Sequence, residues 1–191
     1  MPGPTMKQRD LLLLVIDFCG SSPEFGRTSM QKVAYFVSEG LHKDFGHHAH
    51  FYGPFSEEVE DEIDALVQSG LVEEQTESLS FVGKSGFPGR RYSYSLTKDG
   101  SERSDALRKA YPDETSDLKA FLEALKSAAG GYEQGILSPA AKTYYLAKRE
   151  KKALTIGEIK ALGKELGWEL SSAQVSRVVG VLKALNLVET K

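Results

Sequence analysis

"HFYGPFSEEVEDEIDALVQSGLVEE", residues 50–74, decides how this chain is read. Ser56 suits a helix N-cap, and Glu57 and Glu58 suit the positive end of the dipole of the helix it opens. Val59, Ile63, Leu66 and Val67 recur at helical spacing as far as Gly70, and "LVEEQ" then reads as a short strand. Such a helix and strand fit the third helix and first strand of a winged helix-turn-helix, in which that helix enters the DNA major groove. Yet this helix carries Glu57, Glu58, Glu60, Asp61, Glu62 and Asp64 and no Lys or Arg. DNA affinity rests on phosphate neutralisation, so carboxylates crowded into about two turns repel the backbone. One of them can accept from cytosine N4, which does not offset five repelled neighbours. The helix therefore reads as a solvated face or as a docking surface for a basic partner, and groove insertion is the weakest of the three readings.

Upstream, "KQRDLLLLVIDFCG" holds a helical apolar stripe ending at Gly20. After a turn containing Pro23, Thr28 is placed to cap a second helix with Met30, Val33, Ala34, Val37 and Leu41 on one side. "GHHAHFYGPFS" is too rich in Gly, Pro and His to be regular. Downstream, "LSFV" and "YSYSLT" alternate as strands joined by the loop "GKSGFPGRR", which would be the wing. Two helices broken at Tyr111-Pro112 follow, then Gly130-Gly131 as a hinge.

The last third repeats part of this plan. "SPAAKTYYLAKREKK" is a helix with Pro139 in its first turn, and "TIGEIKALGKELG" and "AQVSRVVGVLKALNLVE" flank the turn "WELSS". One apolar stripe is Ile156, Ile159, Leu162 and Leu166, and another is Val175, Val178, Val179 and Leu182. The expected fold is mostly α with a small β-hairpin wing (α+β), as tandem winged helix and helix-turn-helix units. Residues 1–100 form the winged-helix domain, 101–132 a helical linker or dimerisation segment, and 133–191 a second helix-turn-helix domain. The stripe Leu118, Phe121, Leu122 and Leu125 leans towards dimerisation, hence a homodimer.

The 191 residues are 40% hydrophobic and 27% charged, ordinary for a globular chain. The apolar run Leu11 to Ile16 is too short to span a bilayer, and Met1-Pro2-Gly3-Pro4 does not open a signal peptide. A single cysteine, Cys19, sits in an apolar stripe and cannot form an internal disulfide, which suits the cytoplasm. Charge is unevenly placed: residues 1–132 hold 14 Lys or Arg against 21 Asp or Glu, and residues 133–191 hold 10 against 6. If any part meets nucleic acid, it is the last third.

The segment from Arg27 to Glu74, about a quarter of the chain, resembles the YwgA-like proteins of prokaryotes and, more distantly, the Panacea-type antitoxin domains. Lys32, Tyr35 and Phe36 carry the likeness, with Phe51-Tyr52-Gly53-Pro54-Phe55-Ser56 and Leu66, Gly70, Leu71 and Val72. "FPGRRYSYSLTKDG" separately resembles the hairpin of MarR- and PadR-type regulators. The resemblance implies a winged helix, a fold that hosts both DNA binding and protein–protein contacts.

Two functional readings result. In the first, a regulator binds double-stranded DNA through its C-terminal helix, where Ser172, Gln174 and Arg177 lie at the base-reading end. Lys148 and Arg149, with Lys142, Lys151 and Lys152, hold phosphates from the preceding helix, and Lys84, Arg90 and Arg91 touch backbone from the wing. Each has a bland counterpart: Ser172 is equally an N-cap, and lysine runs are usually wet surface. In the second, a non-catalytic interaction module, antitoxin-like or scaffold, docks a basic protein through Phe51, Tyr52, Phe55, Glu57, Glu58 and Asp61. His42, His47, His48 and His50 lack zinc-type spacing and read as loop histidines, so no metal and no cofactor is expected. No nucleophile elbow or phosphate loop is present, and no catalysis is expected.

Overall fold

The computed structural model describes residues 5–20, 22, 25–82 and 88–188; Lys84, placed at the wing tip above, lies outside them. The described residues form eight helices and two antiparallel hairpins, a mostly α fold with a small β component. Helix α1 (Gln8–Cys19) is central. Leu11 to Ile16 are each at most 2% exposed, because six consecutive apolar residues at about 100° per residue encircle the helix and leave no side for water.

Helix α2 (Arg27–Gly40) was expected to bury one side, but every residue from Ser29 to Ser38 is buried. The C-terminal third covers the side that the sequence left to solvent. The N-cap is Gly26 and not Thr28. A Cβ on Gly26 would collide with the Tyr92 carbonyl oxygen, so the close approach of the second hairpin sets where the helix starts.

Residues expected to be irregular form a hairpin, β1 (His48–His50) with β2 (Gly53–Phe55), in the register His48↔Phe55 and His50↔Gly53. Helix α3 (Glu57–Gln68) begins where Ser56 Oγ accepts the Val59 N–H at 3.1 Å, and it buries Val59, Ile63 and Leu66. "LVEEQ" and "LSFV" are one strand and not two: β3 (Val72–Val82) pairs with β4 (Pro88–Leu96), with an irregularity between Ser78 and Val82. Tyr94 faces the core, and the Arg27 guanidinium lies 4.5 Å over the Tyr92 ring.

Helices α4 (Lys98–Ala110) and α5 (Pro112–Ala129) break at Tyr111-Pro112 as the proline dictates. Leu118, Leu122 and Leu125, read above as a dimerisation stripe, are buried inside this chain, where α5 packs against α1, α2, α4 and α8. That pattern has an intrachain cause. Helix α6 (Gln134–Glu150) starts before Ser138, so Pro139 sits inside the helix and not in its first turn.

Helices α7 (Ile156–Glu165) and α8 (Ser172–Ala184) each open with a capping box, Thr155 with Glu158 and Ser171 with Gln174. Ile156, expected on the apolar stripe of α7, is exposed. One buried cluster extends from Met6 through Leu137 to Leu185, so the first and last thirds share a core. A smaller cluster of Leu146, Ile159, Trp168, Leu170 and Val175 holds the α7–α8 turn against α6. No helix of the described residues is long and apolar enough to cross a membrane.

Candidate functional site

The turn that carries the sequence resemblance is fixed from below by α2. Lys32, 1% exposed, donates from Nζ to the Pro54 carbonyl at 2.7 Å. Gln31 clamps the next residue from both sides: Nε2 donates to Ser56 O at 2.9 Å, and Oε1 accepts the Ser56 N–H at 3.0 Å. Ser56 Oγ also donates to Phe45 O. These bonds satisfy backbone groups that a buried irregular segment would otherwise leave unpaired. Gly53 has φ +106°, and a Cβ there would lie 3.1 Å from Lys142 Cγ, so two constraints select glycine.

With both hairpin strands held, the turn residues have nowhere to go but outward. Phe51 is 67% exposed and Tyr52 62%. Phe55, half-buried, stacks near His50 with ring centroids 5.0 Å apart. Beside the turn lies a groove of about 120 Å³ between α2, α3 and β2. Met30, Phe55, Val59, Ile63 and Tyr94 make its apolar walls and Lys32 reaches it from α2; Tyr52, His50, Glu60 and Asp64 also line it.

The charges near the groove are unequal in their commitments. Glu62 pairs with Arg9, and Glu57 lies 3.5 Å from His48. Glu60, Asp61 and Asp64 are exposed and make no ion pair among the described residues. Arg27, at the end of the groove, is held by both oxygens of Glu74 at 2.8 Å. Burial, and to a lesser degree the nearby Lys142 charge, push the Lys32 ammonium down to about 8. Burial also pushes the His47 imidazole down to about 4. Neither His47 nitrogen reaches a hydrogen-bond partner among the described residues, although the nearby Gln31 backbone favours the charged form. Among the described residues no three His, Cys, Asp or Glu side chains converge as metal ligands do. Cys19 is buried, and burial raises its thiol to about 12, so it stays protonated.

The residues singled out for DNA are spread over the molecule. Lys148 Nζ lies 2.7 and 2.8 Å from the two Glu39 carboxylate oxygens, and Arg149 donates to Glu150 at 3.1 Å. Arg90 is exposed, and Arg91 lies 3.8 Å from Glu77. Ser171, not Ser172, caps α8. Gln174 Oε1 accepts the Ser171 N–H at 2.9 Å, which commits the side chain that was placed at the base-reading end. Ser172 accepts from Lys160 at 3.3 Å, while Ser176 and Arg177 are exposed.

The sequence missed Lys32 and Gln31 as the residues that build the turn. Lys32 was noted only as part of a resemblance, since a lysine on a helix normally implies a wet face. Trp168, which the sequence never singled out, and Lys142, read there as a phosphate contact, also brace the hairpin. Trp168 Nε1 donates to His50 O at 2.7 Å, and Lys142 Nζ lies 5.7 Å over the indole.

No protein-family model matches the chain. The chain spans less than two thirds of the curated relative it matches, the uncharacterized protein YwgA of Bacillus subtilis (strain 168). The match is 30% identical over 117 residues, 60% of this chain and 63% of that protein, and it supports a YwgA-like family.

Proposed function

We propose that the protein is a non-catalytic interaction module that docks a basic partner segment across the aromatic turn and the acidic face of α3. One observation carries this reading: exposed Tyr52 and the uncommitted carboxylates Glu60 and Asp64 line the same apolar groove, and exposed Phe51 packs against Tyr52. Exposed aromatics on a braced turn make good anchors because little order is lost when they are covered. Carboxylates without internal partners favour a cationic ligand and hasten its encounter. Glu57, Glu58 and Asp61, also exposed, extend the same negative field along α3.

Peptides selected from a random display library on the immobilised full chain test it. Winners are expected to be rich in Lys or Arg beside an aromatic or aliphatic residue. Glu60→Lys with Asp64→Lys is expected to weaken them by tenfold or more, and Phe51→Ser with Tyr52→Ser by a similar factor. Winners without basic character, bound equally by both double variants, would sink the proposal.

A second reading, DNA contact through α8, rests on the exposure of Ser176 and Arg177 on a doubly capped helix beside Lys160. It expects duplex binding that falls steeply with salt and drops severalfold with Arg177→Ala. A titration showing no duplex binding at low salt removes it.

A further inference from the structure

A larger cavity, of about 460 Å³, lies in the last third between α6, α7, α8 and the residues after α8. Its walls are apolar, with Leu154, Ile159, Val179, Leu182 and Leu187 among them. Lys148, Lys151, Lys152 and Lys183 line it, and among the described residues no carboxylate does. Lys148 is held by Glu39 and Lys152 by Glu158, but Lys151 and Lys183 make no ion pair among the described residues. Thr143 lines the same cavity; it is 2% exposed, and its hydroxyl has no hydrogen-bond partner among the described residues. Buried hydroxyls are normally paired, and a ligand atom that reaches this one would pair it.

We propose that this cavity binds an amphipathic organic anion, a carboxylate on an apolar chain whose far end carries a hydrogen-bonding group. The charge complementarity selects an anion, and the apolar wall excludes a wholly polar one such as phosphate. Thr143 lies within α6 and Lys151 just past its C-terminal end, so the two mark separated positions along the cavity wall. The carboxylate sits between Lys151 and Lys183, the chain runs past Val179 and Leu182, and the far polar atom meets Thr143. This site is separate from the groove at the aromatic turn, and its assignment does not depend on that reading.

Calorimetric titration of the full chain with 10-hydroxydecanoate, below its micelle concentration, tests the proposal. Saturable binding of one molecule per chain is expected. Val179→Trp, which fills the cavity, should abolish it, and Lys151→Glu with Lys183→Glu should weaken it at least tenfold. Thr143→Val should weaken 10-hydroxydecanoate severalfold while leaving decanoate unchanged, a difference that a general loss of structure does not produce. Circular dichroism of each variant confirms that it is folded. The proposal is overturned by no saturable binding to the wild type, by equal binding of decylammonium, or by undiminished binding in any one of these folded variants.

Discussion

Trp168→Ala is expected to lower the unfolding free energy by about 3–5 kcal/mol, the cost of emptying a large buried aromatic site. Trp168 is 1% exposed and packs edge-on against Tyr145 with centroids 5.7 Å apart. It belongs to the small cluster under the α7–α8 turn, and its indole N–H is bonded to the His50 carbonyl in β1. Its removal therefore loosens two regions that are 118 positions apart in sequence. Trp168→Phe keeps much of the apolar contact but strands the His50 carbonyl, at about 1–3 kcal/mol. Urea unfolding measures both. A loss below about 1 kcal/mol for the alanine variant would mean that the indole is not the joint between the hairpin and the last third.

Lys32→Met is expected to change how stability depends on pH. The Lys32 ammonium has its pKa lowered from 10.5 to about 8 by burial, with Lys142 adding to the shift. Between those values the unfolded chain binds the proton and the folded chain does not, so unfolding becomes harder as pH rises. The cost of burying the charge is fully present below pH 8 and gone above 10.5, about 3 kcal/mol across the window. The neutral amine still donates to Pro54 O, so the turn persists at high pH. The wild type should therefore gain on Lys32→Met by up to that amount from pH 8 to 10.5, in paired urea titrations. Parallel profiles for the two proteins would refute a depressed Lys32. Taking the difference removes the raised tyrosines, which both proteins share.

Much of the fold was legible because its signals are local. Ser56 and Tyr111-Pro112 announce helix boundaries through their own local chemistry, and the structure has boundaries there. The exposure of Phe51, Tyr52, Glu57, Glu58 and Asp61 was readable too, since an aromatic turn and an acidic helix face leave few other places to go. The six-residue run from Leu11 marks a helix with no wet side, although a stripe is the simpler reading of it.

What stayed hidden depended on partners distant in sequence. Lys32 and Gln31 look like surface residues of an amphipathic helix until the tertiary fold buries them and the Gly53–Ser56 backbone supplies their acceptors. The leucines of α5 carry no label saying whether α8 of the same chain or a second chain will bury them. Gln174 has the chemistry to meet an adenine, but a cap position three residues after Ser171 gives it a nearer partner. Helical periodicity and capping are properties of a dozen neighbouring residues, so the sequence alone determined which segments are helices and which loop is aromatic and acidic. Burial and counter-charge depend on what packs across the chain; only the tertiary structure decided that Glu39 holds Lys148 while Glu60 and Asp64 stay uncommitted beside an apolar groove.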